Sequence, residues 1–141
     1  MDRPLSHSYV IEGKNFLEAG RVSTEIRNTL KDLGVNGTIV RRVAIAVYEA
    51  EMNVVMYAEK ATLTFELTPQ AIRIVIDDRG PGIPDISLAM KEGYSTATAD
   101  MRELGFGAGM GLPNIKRNSD VFRIHSTVGK GTTLEITIDI N

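Results

Sequence analysis

Residues 49 to 53 read EAEMN and interrupt a long apolar run with side chains that can do chemistry. Glu49 and Asn53 are four positions apart, so on a helix turning about 100° per residue they stand roughly 40° apart on one face, one turn above the other. Both can reach one ligand. A carboxylate placed there can polarise a hydroxyl or a water, and an amide oxygen one turn away can ligate magnesium. Glu51 lies about 200° around from Glu49 and is expected to face water or the opposite side. The same composition also suits the solvated end of a surface helix.

A second chemical stretch, DDRGPGIPD, follows the strand-like AIRIVI. Asp78 falls where the strand ends, and Gly80 and Gly82 let the backbone turn away and come close to a flat ligand. A carboxylate at the base of such a pocket accepts an amino proton of adenine, whereas guanine presents a carbonyl there and is repelled. Asp77, by strand alternation, points to the other face. An ordinary turn after a strand has this composition too. The third stretch is GFGAGMGL, residues 105 to 112, with a glycine at every other position. Its successive N–H groups, followed by a helix start near Leu112, can form a concavity for phosphate. It fits neither G-x-x-x-x-G-K-[ST] nor G-x-G-x-x-G, which disfavours a P-loop or a dinucleotide fold. A hinge that binds nothing is the competing explanation.

The elements that must position these residues can be read from periodicity. SYVIEG (8–13) has strand composition. From Phe16, apolar residues recur at Ala19, Val22, Ile26, Leu30 and Leu33, which predicts an amphipathic helix stopped by Gly34. A second helix, apolar on most sides and therefore buried, is expected from a cap at Thr38 to about Ala58. ATLTFEL and AIRIVID alternate as half-buried strands, with TPQ as the turn of a hairpin. ISLAMKEG predicts a short helix, residues 92–111 a long loop, and LPNIKR a further helix with Pro113 in its first turn. VFRIHS and TTLEITIDI, joined by VGKG, close the chain as two more strands. This order predicts an α+β fold, a two-layer sandwich with a mixed, mostly antiparallel sheet.

Composition narrows the function classes. At 141 residues and 43% hydrophobic content the chain suits one domain with one core. Sixteen basic and 18 acidic residues, mixed along the chain, leave no tract for holding a nucleic-acid backbone. Cysteine is absent, which removes thiolate chemistry and zinc–thiolate sites. DRPLSHS after Met1 contains no apolar run long enough for a signal or a membrane span, so a cytoplasmic protein without membrane partners is expected. His7 and His125 have no second histidine at ligand spacing. The scattered methionines at 52, 56, 90, 101 and 110 read as core filling.

The succession of E-x-x-x-N on a helix, D-x-G-x-G after a strand, a long loop ending in G-x-G-x-G, and GKGTT before a final strand resembles the GHKL ATPases. That superfamily includes gyrase, the 90-kDa heat-shock chaperones, sensor histidine kinases and mismatch-repair ATPases. The likeness covers residues 38 to 140 of a single domain, and it implies the Bergerat fold, with helices on one face of the sheet. Within the superfamily the chain looks most like the small bacterial serine kinases of partner-switching pathways. NVVMYAEKA, GPGIPDISLAMKEGYST and GAGMGLPNIKR resemble the switch-kinase branch, while the longer lid segment ATADMREL is more like the anti-sigma-factor branch.

The resemblance implies ATP and magnesium as cofactors, with Asn53 holding the metal and Glu49 orienting the attacking hydroxyl. Asp78 would bind the adenine amino group, with Gly80 and Gly82 supporting its pocket and Thr132 bonding beside it. Gly107, Gly109, Gly111 and Leu112 would meet phosphate as the end of an ATP lid. Arg102 and Lys116 flank the glycine run and could neutralise charge, although surface roles suit both. The implied activity is a protein serine/threonine kinase acting on a serine of a small antagonist protein of the STAS type, with a sigma factor as a further partner. A homodimer through the first helix and the SYVIEG strand is also implied. Two other activities stay open, a nucleotide-gated binding module and an isolated histidine-kinase catalytic domain.

Overall fold

A computed structural model describes residues 5–91 and 111–140. The five strands are β1 (Leu5–Glu12), β2 (Lys60–Leu67), β3 (Ala71–Arg79), β4 (Val121–Thr127) and β5 (Gly131–Asp139). They form one sheet in the order β1-β2-β3-β5-β4, and every pairing is antiparallel. Strand alternation works here as physical chemistry requires: Leu63, Phe65, Ile72, Ile74, Ile76, Leu134, Ile136 and Ile138 are buried on one face, while Arg73, Asp77 and Asp139 on the other stay exposed. Helices α1 (Arg21–Asp32), α2 (Gly37–Tyr57) and α4 (Gly111–Arg117) cover the apolar face, and a single turn, α3 (Ile86–Ala89), follows β3. This is the expected two-layer α+β arrangement, with one correction: a mixed, mostly antiparallel sheet is expected from the sequence, and among the described residues each strand runs opposite to its neighbours, so the sheet is wholly antiparallel.

Helix boundaries differ from the periodicity reading at two places. The first helix begins at Arg21 and not at Phe16, because Gly20 takes φ +94° and separates a 3-10 turn, Phe16–Glu18, from α1. Its other end is as expected: Gly34 at φ +75° donates to Lys31 O, and Val35 N–H reaches Leu30 O, a Schellman closure. The cap of α2 is Asn36, whose side chain accepts the Thr38 N–H at 2.9 Å, so Thr38 lies inside the helix. At the far end of α2 the Gly13–Lys14 segment crosses over. Lys14 N–H donates to Val55 O and its ammonium to Met56 O, satisfying carbonyls the helix leaves open.

Glu51 does not face water. It is 2% exposed, on the side of α2 away from Glu49, where its two carboxylate oxygens accept the Val22 and Ser23 N–H groups at 3.1 and 3.0 Å. Gly20 has no side chain with which to cap α1, and Glu51 supplies that cap from a neighbouring helix. Burial pushes its carboxyl above the ordinary glutamate value, against the pull of these N–H groups. Glu51→Ala orphans two buried donors, so the expected loss is about 3 kcal/mol of stability, to be read from the midpoint of urea unfolding.

Candidate functional site

The apolar faces of α2 and α4 pack against each other, and this brings Gly111 onto the polar stripe of α2. A β-carbon at Gly111 would lie 3.2 Å from Asn53 Oδ1 and 3.4 Å from Glu49 Oε2. Glycine therefore keeps open a space that faces both oxygens at once. The expected one-face pairing of Glu49 and Asn53 holds, and both are half-buried. Burial raises the Glu49 pKa, and a side-chain hydrogen bond from Asn114 of α4 opposes that rise. Sequence reasoning missed Asn114, a polar residue on a short helix whose Leu112, Pro113 and Ile115 are buried.

A second cluster lies where β3 ends. Asp78 is half-buried, and its Oδ1 accepts the Thr132 N–H at 2.9 Å from the adjoining strand β5. Burial raises its pKa, the Thr132 N–H lowers it, and neighbouring Asp77 raises it again. Asp77 itself is exposed and accepts from the Thr133 hydroxyl on the open face, as alternation predicts. Gly131 must lack a side chain: a β-carbon there would stand 2.0 Å from the Asp78 carbonyl oxygen, and its φ is +153°. At Gly82, whose φ is +76°, a β-carbon would stand 2.5 Å from the Thr127 carbonyl oxygen.

Three hydrogen bonds lace the segment after β3 to the β4–β5 turn. Gly80 N–H donates to Lys130 O, Gly129 N–H to Pro81 O, and Ile83 N–H to the Ser126 hydroxyl. Thr132 is 8% exposed, and its hydroxyl lies 2.9 Å from that of Ser126. Leu112 of α4 is buried in the hydrophobic core, and Lys116 on the same helix is exposed. Gly107, Gly109 and Arg102, with Met101 and Met110, lie outside the described residues. His125 sits on the open face of the sheet 3.6 Å from Glu135, and His7 beside Tyr9 on β1, both away from either cluster.

Residues 18–138 match the family model described as Histidine kinase-like ATPase domain. The chain belongs to this family. Among curated relatives it is 34% identical over 113 residues to the serine/threonine-protein kinase RsbT of Bacillus subtilis, covering 77% of this chain and 79% of that one. It is also 31% identical over 97 residues to the anti-sigma F factor of Caldanaerobacter subterraneus subsp. tengcongensis, covering 65% and 64% of the two chains. The fold is shared with about a third of the chain in the structure of the RsbU and RsbW domains of Rv1364c from Mycobacterium tuberculosis, with TM-score 0.59, 17% identity, and coverage of 93% of this chain and 32% of that one. It is shared with the mycobacterial sensor histidine kinase MprB, with TM-score 0.56, 19% identity and 97% of each chain covered. The GHKL resemblance read from the motifs is thereby borne out.

The family's chemistry can be tested against the donor set. Asn53 Oδ1 and Glu49 Oε2 are hard oxygens flanking a space that only glycine leaves open, and magnesium in nucleotide sites takes one or two protein oxygens and completes its shell with phosphate and water. The residues fit such an ion. Among the described residues no group of three or more His, Cys, Asp or Glu could hold a metal unaided, so phosphate oxygens would have to share it. No helix among them is long and apolar enough to cross a membrane.

Proposed function

We propose that this chain is an ATP-dependent protein serine/threonine kinase of the anti-sigma regulatory type. On this reading it transfers the γ-phosphoryl group of ATP to a serine of a small antagonist protein. The observation that carries the reading is the approach of Gly111, the described end of the glycine-rich segment, to both Glu49 and Asn53. A phosphate held there would stand between a proton acceptor and a cation ligand, and phosphoryl transfer asks mainly for positioning and charge neutralisation. Glu49 accepts the proton of the attacking hydroxyl. Asn53 holds the divalent cation, whose part is to neutralise charge on the phosphates. Asp78 accepts the amino proton of adenine, Thr132 bonds beside it, and Gly80, Gly82 and Gly131 let the backbone segments that frame the pocket pack closely around Asp78. Gly107, Gly109, Gly111 and Leu112 are assigned to phosphate, and the name of the Bacillus subtilis relative supports the reaction class.

The name of the second relative, an anti-sigma factor, favours a partner of that kind and keeps a binding module as the competing reading. Among the described residues β1 is an outer strand of the sheet, and with Val10 47% and Leu17 99% exposed it suits the homodimer expected from the sequence. Labelled ATP and magnesium, mixed with an antagonist protein captured from the host, separate the two readings. Label on a serine is the result expected of a kinase. Capture that depends on nucleotide, without label, would leave the binding module.

A further inference from the structure

Strand β4 turns Phe122 and Ile124 toward the helices, opposite Ile136 and Leu134 of β5, and alternation brings Ser126 to the same side, opposite Thr132. A serine on the inward face of a strand needs partners, and Ser126 has three. Its oxygen accepts the Ile83 N–H at 2.7 Å, it lies 3.2 Å from the Gly131 carbonyl oxygen, and it lies 2.9 Å from Thr132 Oγ1. A hydroxyl has one proton and two lone pairs, and a carbonyl can only accept. The Ile83 N–H takes one lone pair and the Gly131 carbonyl takes the proton. What remains for Thr132 is the second lone pair, so the arrangement that satisfies all three contacts at once makes Thr132 the donor of that bond.

The consequence reaches the base. With its proton turned to Ser126, Thr132 offers the site nothing but lone pairs, and ionised Asp78, whose Oδ1 is fixed by the Thr132 N–H at 2.9 Å, also only accepts. We propose that Ser126 is a positioning residue that sets base selectivity, by holding the Thr132 hydroxyl proton away from the site so that this edge presents acceptors alone. An exocyclic amine satisfies such an edge, whereas a carbonyl at the same position of a purine meets unshared pairs. This rests on the nucleotide reading above.

The test is calorimetry on the full chain with Mg-ADP and Mg-IDP, whose bases carry an amine and a carbonyl at position 6 and, with it, an acceptor and an N–H at ring N1. The wild-type chain is expected to bind ADP the more tightly. In Ser126→Ala the Thr132 hydroxyl is free to turn and donate to a carbonyl, so the ratio of IDP to ADP dissociation constants should fall about tenfold. In the Thr132→Val background the same substitution should leave the ratio unchanged, because no proton is left to redirect. A ratio that Ser126→Ala leaves intact overturns the proposal, and so does a fall of equal size with and without the Thr132 hydroxyl, which would mark an effect through the loop. Ser126→Cys, slightly larger and only a weak acceptor, should also lower the ratio and serves if the alanine variant does not fold. A wild-type chain that binds neither nucleotide would overturn the nucleotide reading itself, whereas strong wild-type selectivity untouched by Ser126 substitution would remove only the role of Ser126.

Discussion

Glu49→Gln is expected to slow phosphoryl transfer to a protein serine by about a thousandfold, within the usual span for losing a general base. The Kd of Mg-ATP should stay within about threefold of wild type, since the amide keeps the shape and its oxygen can still face the Gly111 space. The pH dependence carries the sign. Burial raises the Glu49 pKa, with the Asn114 hydrogen bond opposing, so the fraction able to accept a proton grows as pH rises through a value above that of an ordinary glutamate. The rate should climb about tenfold per pH unit below that value and then level. In Glu49→Gln this limb should vanish. Stability moves the other way: the folded state retains the proton more strongly than the unfolded chain, so ionising Glu49 costs stability as pH rises through the same window. Rate measurements in which the glutamine variant keeps both speed and limb would remove Glu49 from the mechanism.

Asp78→Asn should be the larger perturbation of binding. The Thr132 N–H fixes one atom of this side chain as an acceptor at 2.9 Å, so an amide must put its oxygen there and turn its NH2 toward the ligand. An acceptor then becomes a donor at the point where the adenine amine is bound. ADP affinity should fall about a hundredfold, the scale of losing a charge-assisted hydrogen bond and gaining a clash of donors. IDP, with a carbonyl at that place, should lose much less. Equal losses for the two nucleotides would show that Asp78 does not touch the base.

Much of this site was legible from spacing because helix and strand periods are local properties. E-x-x-x-N fixes one helical face, and Gly111 meets both its members. Asp77 and Asp78 divide between the two faces of β3 as alternation demands. What the sequence hid depends on distant partners. Spacing puts Glu51 in water or on the side opposite Glu49, and only the arrival of α1 with two N–H groups to cap decides for the buried opposite side. The helical pattern running back to Phe16 is real as hydrophobic spacing, yet Gly20 breaks the backbone beneath it. Ser126 had a signal that was overlooked, namely a hydroxyl in phase with Phe122 and Ile124 on the inward side of a strand. Asn114 had a fainter one, a polar side chain between buried neighbours on α4.

The stitching between the segment after β3 and the β4–β5 turn has a consequence for signalling. Hydrogen bonds from Gly80, Ile83 and Gly129 are all made to carbonyls and a hydroxyl of the chain itself, so on the proposed reading the purine would enter a mould framed by the protein's own backbone. Such a mould is blind to the length of the phosphate tail. If di- and triphosphate forms are to be told apart, the discrimination must arise at the opposite pole, where the amino end of α4 abuts Asn53 and Glu49. On the proposed reading the molecule would divide into an anchor that recognises which nucleotide has come and a gauge that registers how long its phosphate tail still is.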